Sequence, residues 1–432
     1  MKNFKIIILI AFIGAAVFGV LVFSGMIPIG DQSGKDGSGG TVVLWGTIKN
    51  SDIYELIEDF NKANPVYVLK YVEKRADTFD EDLLEALASG QGPDIFLIDN
   101  ELAYKYSNKI LSIPYSSYPI STFKQTFATA GEVFLKSDGF LAFPLTVDPL
   151  MMYYNRGTLD INNIVYPPEY WDQFSTLAPI LNRKDETGKI EKSLISFGQY
   201  ANVTNAKDIL SMLFMQTGNK IVIEKKGSFV STIHEFTGNY STEQILEFYT
   251  NFANPLKEIY SWNKSLPLSR DMFISGNLAF YFGFASELKP IIEKNPNLNF
   301  QITNVPQIRG LQTKITSAKV TGIAISSFSK NLNSSFLVAN LLSTGSFAKG
   351  LVEVLQLPPA RRDLLSIPAN QDNAFLPIFY SSSLFARSWL DPIPDDSNIV
   401  FRDMVENVLS NNLSISQSVR DASSKINLLL MR

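Results

Sequence analysis

Residues 41–101 read TVVLWGTIKNSDIYELIEDFNKANPVYVLKYVEKRADTFDEDLLEALASGQGPDIFLIDNE, and the order of patterns in this stretch decides the fold class. Thr41 to Trp45 is a continuous run of the kind a strand buried on both faces shows. Asp52-x-x-Glu55 spells a capping box, and Ile53, Leu56, Ile57 and Phe60 follow at helical spacing until Asn64-Pro65 stops the turn. Val66 to Val72 predicts a second strand. Thr78-x-x-Glu81 is another capping box, ahead of the apolar stripe Leu83, Leu84, Leu87 and Ala88 and the left-handed stop Gly90. Pro93-Asp94 then leads into a third strand, Ile95 to Ile98. Strands joined by single helices run parallel with right-handed crossovers, so the segment predicts an open α/β sheet. Ligands of such sheets sit beyond the carboxyl ends of the strands. That rule nominates Trp45, Gly46 and Thr47 after the first strand, and Asp99, Asn100 and Glu101 after the third.

Downstream, Phe140 to Pro144 and Met151 to Tyr154 are strand-like, with Asp148-Pro149 between them marking a change of direction. Pro167-Pro168 predicts the start of a helix that carries Trp171, Phe174, Leu177 and Ala178 on one face. Further helices are predicted from Asn205 to Gln216, closing on Gly218, and near Thr242 to Phe252 and Asn333 to Leu342. The last runs from Ser416 to Leu430 with Val419, Ala422, Ile426 and Leu429 inward. Lys226-Gly227 is a hairpin candidate.

Composition narrows the chemistry. The chain has 432 residues, no cysteine and one histidine, His234. Clustered Cys/His zinc sites, cysteine nucleophiles, iron–sulfur clusters and disulfides are thereby excluded or nearly so, and no cofactor is implied. With 38 basic against 42 acidic residues and a formal net charge of −4, nothing favours nucleic acid as a partner. The length predicts two domains, each able to bury a core.

At the amino terminus, Lys2 and Lys5 precede Ile6 to Phe23, eighteen uncharged residues, long enough to cross a bilayer as a helix. The flanking charges favour an inside amino terminus. Residues 1–29 are read as a membrane anchor or uncleaved signal, since Val22-Phe23-Ser24 is a poor cleavage match. Gly30 to Gly40, GDQSGKDGSGG, is a flexible tether. The body from Thr41 onward is then extracytoplasmic on a single-pass anchor in the cell membrane. Five Asn-x-Ser/Thr sequons are no more than an Asn- and Ser-rich chain supplies by chance.

These motifs in this order resemble the extracellular solute-binding proteins of bacterial ABC importers, family 1, the maltose-binding-like group. The resemblance rests on TVVLWG (41–46), LIEDFNKANP (56–65), LLEALASGQGPDIFLID (83–99) and GFLAFPLTVDPLMMYYN (139–155). It continues through YPPEYWDQF (166–174), FISGNLAFYFG (273–283), QITNVPQIRG (301–310) and LPPAR (357–361), and so spans almost the whole body. Tyr170 replaces the usual threonine, and Phe280 stands in a methionine place. The resemblance implies a two-lobed periplasmic binding protein-like fold of type II, each lobe an open sheet flanked by helices. Lobe 1 would comprise 41–147 and 317–365, and lobe 2 148–316 and 366–432, with the ligand closed between them by a hinge motion.

The same resemblance refines the candidate site. Asp148 matches an inter-lobe acidic contact, where an ionised acceptor takes sugar hydroxyls; an Asp-Pro turn is the alternative. Asp99, a carboxylate ending an apolar run, either caps the following turn or meets a ligand. Tyr200 lies in a loop that supplies an aromatic contact in such proteins. Phe284 and Ser286 follow Gly283 where many sugar-binding relatives carry tryptophan. Trp389 matches a second-lobe stacking position, and Trp45 is either cleft or core. Trp171 reads as core and His234 as surface. The implied function is capture of a solute, a mono- or oligosaccharide, by a monomer that serves ABC permease subunits. Two alternatives are a carboxylate glycosidase built on Asp99 and Asp148, and a surface sensor or adhesion module on the same fold.

Overall fold

A computed structural model describes residues 40–236, 238–366 and 373–431. The predicted anchor at 6–23 and the linker up to residue 39 lie outside these residues. Among the described residues, no helix is long and apolar enough to cross a membrane.

The opening segment folds as its pattern dictates. Strands β1 (Thr41–Gly46), β2 (Val68–Glu73) and β3 (Ile95–Asp99) are linked by helices Asn50–Ala63 and Phe79–Ala88. Both β2 and β3 pair with β1 in parallel. Ile53, Ile57 and Phe60 are the buried face of the first helix. That helix begins at Asn50, not at the predicted Asp52 box, because the Asn50 amide donates to Glu73 at the end of β2 (2.7 Å). A partner brought by the sheet replaces the local cap.

Strand β4 (Ile113–Pro114) pairs with β5 (Gly139–Phe140), and the long β6 (Ala142–Asn155) follows. The predicted change of direction at Asp148-Pro149 is absent: β6 is one strand of 14 residues. Proline is tolerated there because it lacks only a donor, and the ladder to β11 (Leu278–Phe284) starts one residue later, at Leu150 opposite Phe284. Next come β7 (Arg183–Lys184) and β8 (Ile190–Ile195), then the hairpin β9 (Val222–Lys225) and β10 (Ser228–Ser231). Its turn residues Lys226 and Gly227 both have positive φ (54° and 80°), the twist a tight hairpin needs. After β11 come β12 (Phe300–Thr303), β13 (Thr316–Ile325) and β14 (Ala386–Arg387).

These strands join in a ten-stranded sheet with the path β2-β1-β3-β13-β6-β11-β8-β7, β12 lying on β6 and β14 on β13. The expectation of two separate open sheets is thus modified. The long strands β6 and β13 are shared, so the hydrogen-bonded path is continuous. The apolar side chains nevertheless form two clusters. One holds Val42, Leu44, Phe96, Phe143, Val147, Val320 and Ile323, and the other Leu150, Met152, Tyr153, Trp171, Phe280 and Phe401. β6 feeds the first through Val147 and the second from Leu150, leaving Asp148 and Pro149 between them.

Later helices lie close to their predicted places. The helix carrying Trp171 begins as a 3-10 turn at Trp171–Gln173 and continues as Phe174–Leu181, later than Pro168, because Tyr170 bridges to Gln307 first. The last helix, Ile415–Leu429, buries Val419, Ala422, Ile426 and Leu429 behind a Ser414/Gln417 capping box.

Candidate functional site

The register of β13 on β6 places Lys319 opposite Asp148 and Thr321 opposite Thr146, with Val320 and Val147 between them. Because side chains alternate across a strand, Val147 and Val320 enter the first apolar cluster while Asp148, Lys319, Thr146 and Thr321 share the other face. Asp99 is paired with Thr321 on the adjacent strand and joins them. Beyond the ends of β1 and β3, this face opens into a cavity of about 280 Å³. Thr47, Asp80, Asp99, Thr146 and Thr321 supply its polar groups, and Leu351, Leu355 and Leu357 part of its apolar wall. A few oriented polar groups on an apolar surface is the build of a small-molecule site.

Asp99 does both things weighed for it. Its Oδ1 accepts the amides of Glu101 and Leu102, each at 3.0 Å, which pins the turn after β3, and its side chain also lines the cavity. Burial pushes its pKa up, assisted by neighbouring Glu101 and opposed by the Leu102 amide and Lys319. Asn100 is buried and wholly engaged in structure. Its Oδ1 accepts the Val320 amide (2.8 Å) and its Nδ2 donates to the Trp389 carbonyl (3.2 Å), tying three distant segments together.

Glu101 is the centre of an ion cluster that connects the two apolar clusters. Lys319 Nζ lies 3.0 Å and Lys207 Nζ 3.3 Å from its two oxygens. Lys207 Nζ in turn lies 2.6 Å from Asp391, whose side chain is 1% exposed and whose Oδ2 also accepts from Ser397 (2.7 Å). Burial opposes the charge on Glu101, but Lys319 and Lys207 outweigh it and hold its pKa below the usual range. Asp391 is pushed up by burial, with Lys207 opposing. Lys207 sits in the first turn of helix Ala206–Gln216, where the helix dipole disfavours a cation. The two carboxylates make that placement tolerable. Neighbouring Asp208 is pushed up to about 6 by burial, against the pull of Lys319.

Asp148 accepts the Ser286 amide (3.0 Å), and burial pushes its pKa up to about 6. Phe284 is buried, with Lys319 Nζ 5.1 Å from its ring centre. Thr47, Asp99, Glu101, Asp148, Phe284 and Ser286 are therefore gathered on one side, around the cavity and Lys319. Trp45, Tyr200 and Trp389 do not line that cavity. Trp45 carries Lys74 Nζ over its ring at 3.9 Å. Tyr200 is buried and donates its hydroxyl to Asn398. Trp389 stacks on Phe401 with ring centres 6.0 Å apart.

Sequence reasoning missed Lys207, Asp208, Lys319 and Asp391. A signal existed for one of them: Lys319 is the single charge in the run TSAKVTGIAI of β13. Lys207 and Asp391 meet across 184 residues, and Asp208 is influenced by Lys319 and Glu101 from distant parts of the chain, so no local pattern marks these three.

The profile of the family described as bacterial extracellular solute-binding protein matches residues 55–377. The chain belongs to that family, which places its body outside the cytoplasm. Among solved structures, a cyclo/maltodextrin-binding protein complexed with maltotetraose matches with TM-score 0.71 and 15% identity, covering 92% of this chain and 98% of that one. The cyclic alpha-maltosyl-1,6-maltose binding protein from Arthrobacter globiformis gives TM-score 0.73 and 14% identity, covering 90% and 98%. The maltose-binding periplasmic protein from Listeria monocytogenes, in complex with maltose, gives 0.68 and 15%, covering 90% and 97%. At such identities the likeness is one of fold. No curated protein matches the chain by sequence.

Proposed function

We propose that this protein captures a carbohydrate in a cleft between two lobes and delivers it to an ABC permease, its body tethered to the membrane by residues 6–23. The two apolar clusters are the cores of the lobes, and β6, β13 and the chain near β14 are the hinge. The reading rests above all on the lobe 1 cavity where Thr47, Asp99, Thr146 and Thr321 meet a leucine wall, with Asp148 and Lys319 paired opposite each other on the strands that run on into lobe 2. Such a surface offers hydroxyl-bearing ligands both acceptors and donors, with apolar area for their C–H faces. Fold relatives are described with maltotetraose and maltose, which supports a saccharide. Closure follows because a ligand held from both sides favours the closed form by its differential affinity.

The test is calorimetry and thermal shift of the full chain with maltose, maltotetraose, cyclodextrins, polyols, peptides and polyamines. A saccharide at 100 times its Kd stabilises by about 2.7 kcal/mol. Absence of heat and of a thermal shift with every saccharide refutes the reading, and a response to polyamine or peptide alone replaces the ligand class. Membrane fractionation, with and without residues 1–29, tests the tether.

A further inference from the structure

A second cavity, of about 440 Å³, lies on the opposite side of the sheet from the first. One wall is the 3-10 helix Thr129–Phe134, another the hairpin residues Val222 to Phe229, and the floor is Arg387, Ser388, Trp389 and Leu390. The opposite placement follows from the strand geometry. A Cβ built on Gly322 would come within 3.0 Å of the Phe134 ring, so the 3-10 helix covers the Gly322 face of β13. The first cavity touches Thr321, whose side chain points the other way. A further pocket of about 260 Å³ adjoins, sharing Lys220, Val222, Arg387, Ser388 and Trp389.

Several donors here have capacity to spare. The Arg387 guanidinium donates to the Ala386 carbonyl (2.9 Å), and among the described residues it forms no ion pair. Burial lowers its pKa, Glu132 opposes this, and Arg362 adds repulsion. Ser388 Oγ is buried without a hydrogen-bond partner among the described residues. Among the described residues the Lys220 ammonium and the Trp389 indole N–H also have none. The acidic groups of the same cavity are already engaged: Glu132 pairs with Lys124 (3.4 Å), and Glu224 accepts both the amide and the hydroxyl of Ser137 (2.7 Å each). A buried donor left unmade is costly, and a planar guanidinium matches an oxyanion in a forked pair.

We infer that this rear cavity is a second binding site, which takes a small oxyanion, phosphate or carboxylate, on Arg387, Lys220 and the Ser388 hydroxyl. Since its walls come from both apolar clusters, bound anion favours the arrangement in which the 3-10 helix and the hairpin face each other. Because the solute in the first cavity acts on the same arrangement, the two ligands are coupled, and saccharide is titrated in anion-free buffer.

The experiment titrates the full chain with inorganic phosphate, and separately with malonate, by calorimetry and tryptophan fluorescence. Wild type is expected to bind at least one of them saturably at a single site. Arg387→Gln and Lys220→Gln are each expected to weaken binding about tenfold or more, the loss of one charge-assisted pair. Saccharide affinity stays unchanged in both, which keeps this test separate from that of the proposed function. Phosphate binding alone points to a phosphorylated or inorganic ligand, and malonate binding alone to an organic acid. Neither anion binding saturably overturns the site, as does equal binding in the two variants. Loss of binding in Lys319→Gln alone would move the anion to the first cavity and overturn it too. If Arg387→Gln fails to fold, Lys220→Gln carries the test, because Lys220 is exposed.

Discussion

Replacing Lys207 by methionine removes the cation held between Asp391 and Glu101 while keeping most of the side chain's apolar length. Glu101 keeps Lys319 at 3.0 Å, so the penalty falls mainly on Asp391, which is 1% exposed and has one oxygen without a partner among the described residues. Breaking a buried pair by removing one partner costs about 3–5 kcal/mol. A limit on that figure comes from protonation. Neutralising a carboxyl of ordinary pKa about 3.9 costs roughly 4 kcal/mol at pH 7 and roughly 1.5 kcal/mol at pH 5, at about 1.4 kcal/mol per unit. The fold escapes a larger penalty by taking up a proton. The sign follows: in the variant the folded state holds a proton that the unfolded state lacks above its own pKa, so the variant's deficit shrinks as pH falls from 7 to 5. For a chain of 432 residues, about 2.1 cal/mol/K of unfolding entropy per residue converts the pH 7 loss into a fall in Tm of roughly 4–5 °C. Urea unfolding and calorimetry at both pH values measure it, and Lys207→Met/Asp391→Asn should recover most of the loss at pH 7. A deficit below about 1 kcal/mol at pH 7, or one equal at the two pH values, refutes the account of this cluster.

Two further substitutions separate stability from binding. Asp148→Asn removes a carboxyl whose pKa is raised to about 6, so it should stabilise the fold at pH 7.5 by about 1–3 kcal/mol and have no effect at pH 4, as urea titrations at the two pH values would show. The same variant should bind saccharide more weakly above pH 6, where wild type presents the ionised acceptor. Trp389→Ala, which the family resemblance alone marks as a ligand contact with the fold intact, should instead lower stability by about 3–5 kcal/mol, since the indole is 8% exposed and stacked on Phe401. Its saccharide affinity, measured by calorimetry below the melting range, should stay within a few-fold of wild type.

Much of the architecture is legible in local pattern. Ile53, Ile57 and Phe60 at helical spacing, the apolar run of β3 and the Lys226-Gly227 turn each settle an element within a dozen residues, because backbone geometry and one buried face suffice to define it. Element boundaries were less legible where a partner from elsewhere intervenes, as when Glu73 takes the Asn50 amide and moves a helix start. The Asp148-Pro149 pair misled for the same reason. An Asp-Pro dipeptide signals a turn only if the chain is free to make one, and here β13 holds Asp148 in register with Lys319.

The sequence by itself determined the strand–helix order of the first segment, the exclusion of cysteine and zinc chemistry, and the family. It also determined that Thr47 and Asp99 would fall at strand ends, since strand ends are read from the apolar runs that precede them. Only the tertiary structure decided what those residues meet. Glu101 reaches Lys319 across 218 positions, and Lys207 reaches Asp391 across 184. Electrostatic partnership depends on distance in space and on burial, and chain order carries neither. Trp389 shows the same limit: its place in the sequence resembles a ligand contact, but its ring stacks on Phe401 and does not line the first cavity.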